Sequence, residues 1–192
     1  MIPRKWNVRI EKSKRKTLYL TVREGNVVCV KTPLWYPDRE IYRFLEQKKG
    51  WIEKQMERIA RESKRLEEDG ALTAAEIKAL AEIASKVIPQ KVAYYARILG
   101  VSYGKITIRN QRSRWGSCSS EGNLNFNCLL MLAPSEVADY VVVHELCHRL
   151  EMNHSARFWA HVESVLPDYR ERRRWLKDEG LILMRRMVSH SS

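Results

Sequence analysis

Residues 140–159 read YVVVHELCHRLEMNHSARFW, a stretch greasy enough to be buried that nonetheless carries three histidines and a glutamate. Around it, residues 137–150 are apolar on nearly every side, which predicts a helix enclosed between layers rather than lying on a surface. Burying a polar group without a partner costs about 2–7 kcal/mol. The chain must therefore supply a partner for these imidazoles and this carboxylate, and the identity of that partner restricts both fold and function.

His144, Glu145 and His148 fit the pattern H-E-x-x-H. Residues four apart on a helix lie one above the other, about 6 Å along the axis and about 40° around it. Two imidazole nitrogens so placed can reach a single zinc ion. Glu145 projects about 100° away from His144, close enough to activate an attacking water without being a ligand. Catalytic zinc takes three protein ligands and keeps one position open. His154, six residues after His148, is the candidate third ligand. The helix is expected to end near Met152, with Asn153 adopting the left-handed conformation that turns the chain back toward the ion. Glu151 is a rival third ligand, on the same face if the helix continues. His161 is a more distant candidate, and Cys147 reads as a small buried thiol.

The rest of the chain supplies the scaffold. Trp6, Val8 and Ile10 alternate, as do Leu18, Leu20 and Val22, and REGN turns the chain into VVCVK, predicting a small antiparallel sheet over residues 6–31. Asp38 is a candidate N-cap for a helix whose stripe contains Ile41, Phe44, Leu45, Lys48, Ile52, Gln55, Met56 and Ile59. Thr73 and Glu76 form a capping-box pattern for a second helix, which Pro89 is expected to kink or interrupt and Gly100 to end. KITIRN, RWGSCS and NLNFNCLLML read as strands, the last two joined as a hairpin through SEG. Pro134 starts the buried helix, and Asp168 with Glu171 caps a last one. The expected fold class is α+β, with a small antiparallel sheet packed on the H-E-x-x-H helix. Residues 1–70 form an N-terminal hairpin and long-helix part, and residues 71–188 a catalytic part of one continuous globular unit.

Four cysteines, Cys29, Cys118, Cys128 and Cys147, form no C-x-x-C pair, which argues against a zinc ribbon or a disulfide framework. No apolar run approaches the roughly 18–20 residues of a membrane span. The basic N-terminus is not followed by an apolar signal segment, so a cytoplasmic location is expected. The net charge of +12, spread over several basic clusters, suits a nucleic acid, a membrane surface or an acidic partner.

RWGSC, HELCH and NHS-x-x-FW, in that order, resemble the YgjP-like metallopeptidase family, a branch of the zincins, and the likeness extends over almost the whole chain. The resemblance implies zinc held by His144, His148 and His154, with Glu145 catalytic. It also implies kinship with SprT-like and WLM proteases, some of which digest proteins attached to DNA. The metzincin spacing is similar as well, but Glu151 stands where that pattern has glycine.

RWGSC has two readings. Arg114, Trp115 and Gly116 either border a substrate cleft, where an edge strand pairs with an extended peptide, or serve packing and solvation. Tyr169 and Arg114 are the candidates for a second oxyanion donor. Three functions follow: a zinc metallopeptidase, a nucleic-acid-binding protein with a structural zinc site, or a protease recruited to protein substrates on DNA or RNA. A structural site would show a fourth protein ligand.

Overall fold

Residue 3 and residues 5–187 are described by a computed structural model, so Val188 at the end of the expected catalytic part lies outside the described residues. The chain forms two compact units, Met1–Glu68 and Asp69–Ser192.

In the first unit the alternating segments become β1 (Asn7–Ser13), β2 (Tyr19–Arg23) and β3 (Val27–Pro33). The turn between β2 and β3 needs two left-handed residues, and Gly25 (φ 73°) and Asn26 (φ 59°) supply them. The sheet is not purely antiparallel. Its order is β1-β3-β2, with β1 parallel to β3 and β2 antiparallel to it. Burial explains the order, because β3 is the most apolar strand and takes the centre, with Val28 and Val30 fully enclosed.

The long helical stretch that follows is two helices, α1 (Asp38–Gln47) and α2 (Lys49–Asp69), broken at Lys48. Ile41 and Leu45 from α1 and Ile52 and Met56 from α2 join Trp6, Val28 and Val30 in one core. Asp38 is not the N-cap. Pro37 occupies that position in extended conformation, and Asp38 sits in the first turn and pairs with Lys12 at 2.7 Å.

The second unit opens with α3 (Ala74–Leu99). Its capping box forms, since the Thr73 hydroxyl accepts from the Glu76 amide and the Glu76 carboxylate accepts from the Thr73 amide. Gly100 ends the helix in the left-handed conformation. Pro89 does not interrupt it. One hydrogen bond is forfeited there, while Leu80, Ala84, Ile88, Val92 and Ala96 carry a continuous buried stripe past the site.

Strands β4 (Ile106–Arg109), β5 (Gly116–Cys118) and β6 (Leu124–Asn127) repeat the first unit's arrangement: order β4-β6-β5, with β4 parallel and β5 antiparallel to β6. The expected β5–β6 hairpin forms, with Gly122 at φ 87° in its turn. NLNFNCLLML is a strand only through Asn127 and continues as a 3₁₀ helix, Cys128–Leu132.

Helix α4 (Ser135–Cys147) follows Pro134 and is enclosed by the core, as its composition requires. It is succeeded by α5 (Ala156–Val165), α6 (Tyr169–Asp178) and α7 (Gly180–Arg185). Asp168 holds the N-cap position of α6 but makes no side-chain cap bond, because its carboxylate is engaged by Arg172. The fold class is α+β, with mixed rather than antiparallel sheets. Among the described residues no helix is long and apolar enough to cross a membrane.

Candidate active site

Helix α4 ends earlier than its sequence suggests. Its last regular residue is Cys147, and His148 is the C-cap. The chain then tightens, with the amides of Arg149 and Leu150 donating to the carbonyls of Leu146 and Cys147 at 2.9 and 3.0 Å. Asn153 does not turn the chain by a left-handed backbone, since Asn26 is the sole non-glycine residue with positive φ among those described. Its side chain does the work, accepting from the Ser155 amide at 3.1 Å. Ser155 in turn caps α5 by accepting from the Phe158 amide. His154 is thus held between a side-chain-locked turn and a capped helix.

The result is a cluster of three imidazoles. One ring nitrogen from each of His144, His148 and His154 lies within 4.8 Å of the others. The Nε2 atoms of His144 and His154 are 3.0 Å apart. Two ligands on a tetrahedral zinc with bonds of 2.0–2.1 Å stand about 3.4 Å apart, so the spacing suits a single ion. The Nδ1 of His148 faces the Glu151 carbonyl at 3.1 Å. With the proton on Nδ1, this bond leaves the Nε2 lone pair free for a metal.

Glu151 therefore enters through its backbone rather than its carboxylate, which does not join the cluster. Neither His161 nor Cys147 joins it, and Cys147 is fully enclosed.

The electrostatics favour neutral ligands. Burial pushes His144 down to about 3, reinforced by His148, His154 and Arg173. His148 is also lowered, by burial first and His154 second, against the opposing bond to Glu151. A neutral imidazole is the form that binds a metal. Next to His144, Glu145 is 6% exposed. Burial raises its carboxyl to about 8, against the opposing pull of Arg114. A cation held by the triad would draw that value back down.

RWGSC lies beside this carboxylate. Gly116 begins β5, and a Cβ added there would lie 2.7 Å from Glu145 Oε1 and 2.8 Å from its Cγ. Only glycine permits that approach. Trp115 packs against the core and against Gly180, so its indole is part of the framework. Arg114 is exposed and reaches Glu145 through its charge alone. The preceding loop is pinned by fully buried Asn127, which donates to the carbonyls of Gln111 (2.6 Å) and Arg114 (3.0 Å).

β5 is an edge strand. The bonds from Asn127 N to Trp115 O and from Ser119 N to Asn123 O set the parity of its ladder. The backbone groups of Trp115, Ser117 and Ser119 face β6, and those of Gly116 and Cys118 face the open edge.

Three aromatic residues near the triad were given no role in the sequence reading. Fully buried Phe158 has its ring centroid 4.9, 4.7 and 4.7 Å from those of His144, His148 and His154, forming the floor of the cluster. Trp159 lies nearly parallel to His154 at 5.7 Å, and Tyr140 meets His144 edge-on at 5.8 Å. The available signal was FW at helical spacing after His154. Tyr169 is buried and stacks on Tyr140 and Trp159.

Placing a methyl group at Gly116 should displace Glu145. If Glu145 serves metal-dependent peptide hydrolysis as the sequence resemblance implies, Gly116→Ala is expected to retain metal content while lowering kcat/KM for that reaction by about 10–100-fold, since a displacement near 1 Å can cost about that much. Unchanged kinetics would mean that the glutamate needs no such clearance.

No curated protein matches the chain. Among solved structures, the metallopeptidase zymogen of Pyrococcus abyssi abylysin is 25% identical with a TM-score of 0.44, over 48% of this chain and 96% of that one. The metallopeptidase zymogen of Methanocaldococcus jannaschii jannalysin is 19% identical with a TM-score of 0.43, over 48% and 95%. The model of the YgjP-like metallopeptidase domain matches residues 16–80 and 71–179, from before β2 to the end of α6. On that match, the chain belongs to the YgjP-like family of metallopeptidase domains.

Proposed function

We propose that residues 71–188 form a zinc-dependent peptidase domain in which His144, His148 and His154 hold the ion and Glu145 is the general base. One observation carries the reading: three imidazoles converge within 4.8 Å beside a buried carboxylate. The donor set suits zinc, and a zinc ion so held supplies Lewis acidity toward a carbonyl and lowers the pKa of water. Glu145 takes a proton from the attacking water at its carboxylate and passes it to the leaving amine. Gly116 keeps that carboxylate unobstructed. An extended substrate pairs with the outward-facing backbone of Gly116 and Cys118, adding a strand to the sheet. Arg114, whose charge acts on Glu145, and Tyr169, whose ring stacks on Tyr140 and Trp159, are the two candidates for steadying the oxyanion.

The competing reading, a structural zinc site in a nucleic-acid-binding protein, needs a fourth protein ligand. Among the described residues the cluster contains three. Recruitment to DNA or RNA finds no supporting observation either, and part of the basic character is spent internally: Arg170 pairs with Glu163 and Arg172 with Asp168. The test is hydrolysis of an unfolded protein by wild type and Glu145→Gln at equal zinc content. Only the wild type should cleave, and equal cleavage by both would overturn the reading.

A further inference from the structure

Helix α6 carries Arg170, Arg172, Arg173 and Arg174. Arg170 and Arg172 are matched to carboxylates at 2.9 Å. Arg173 is exposed and makes no ion pair with a carboxylate among the described residues. Its guanidinium carbon instead lies 4.7 Å over the ring of Trp159. Trp159 itself stands 5.7 Å from His154 and 5.9 Å from His144, centroid to centroid. The same indole thus contacts both this cation and two imidazoles of the triad.

Stacking uses the face of a guanidinium and leaves its N–H donors free in the plane of the group. Those donors form a rigid fork that matches a carboxylate with two parallel hydrogen bonds. An unmatched fork seated on an indole beside a peptidase site is suited to a substrate anion. Extended peptide spans about 3.3–3.6 Å per residue, so a carboxylate within roughly three residues of the scissile bond is in range.

We infer that Arg173, seated on Trp159, is a specificity-determining residue that binds a carboxylate of the peptide substrate. This rests on the peptidase reading above. The carboxylate belongs either to an acidic side chain or to the peptide's own C-terminus.

Binding separates this inference from the chemistry. Zinc-loaded Glu145→Gln protein is titrated with fluorescent peptides of one length. One set is amidated and carries a single glutamate at successive positions; one control is amidated with glutamine throughout; one is that control with a free C-terminus. At least one glutamate position, or the free C-terminus, should bind about tenfold tighter than the control, as one charge-assisted fork contact allows. Adding Arg173→Gln should bring the affinities within about twofold of one another. Arg173→Lys should restore part of the preference, and Arg174→Gln, which removes the same charge from the same helix, should leave it intact. Equal or undetectable binding in every arm, or a preference that survives Arg173→Gln, overturns the inference. Acidic preference in a wild type that cleaves nothing would instead sink the peptidase reading alone, and cleavage without preference would sink this one alone.

Discussion

Glu145→Gln is expected to lower kcat/KM for peptide hydrolysis by about 10²–10⁴-fold, the range for loss of a general base, with zinc content unchanged. Glutamine has nearly the same shape, so the fit against Gly116 persists. What disappears is the carboxylate proposed to accept the proton. A buried carboxylate is costly in itself, as the rise of Glu145 to about 8 records. The variant should therefore fold at least as well as wild type. Rate loss without metal loss is the signature of a base, whereas joint loss of zinc and activity would make Glu145 a ligand or a folding determinant. Thermal unfolding and metal analysis of the same sample separate the cases.

The second large effect concerns the ligands. His148→Ala is expected to weaken zinc binding by at least about 100-fold, exceeding the 10–100-fold typical of an outer-shell residue. Phe158 packs on His148, so the variant also loses some packing, and thermal unfolding separates that loss from the loss of the ligand. Glu151→Ala provides the contrast. Its carboxylate was the rival ligand, but the group that meets His148 is its backbone carbonyl, which alanine retains. Zinc affinity should stay within a fewfold of wild type. If Glu151→Ala lost the metal and His148→Ala kept it, the ligand assignment would have to be redrawn.

What could be read in the sequence was what depends on local spacing. His144, Glu145 and His148 follow from helical geometry, and the enclosure of α4 from its unbroken apolar surface. The Thr73–Glu76 box and the Gly100 cap use short-range chemistry and appear as expected. Tertiary decisions were hidden. Strand order depends on which strand most needs burial, so the parallel pairing of β1 with β3 and of β4 with β6 could not be seen in alternation alone. The break at Lys48 leaves the hydrophobic stripe intact and is invisible to a periodicity argument. The route to His154 was misjudged in its means, since an asparagine side chain, not a left-handed backbone, turns the chain. Arg173 lies over Trp159 through the packing of two separate helices, α6 and α5, which the periodicity of neither one reveals.

A crystal structure of zinc-loaded protein, with anomalous data collected across the zinc absorption edge, locates the ion itself. One zinc peak bounded by His144, His148 and His154, with no fourth protein ligand, is the expected result. A peak located elsewhere, or one closed off by a fourth side chain, would contradict it.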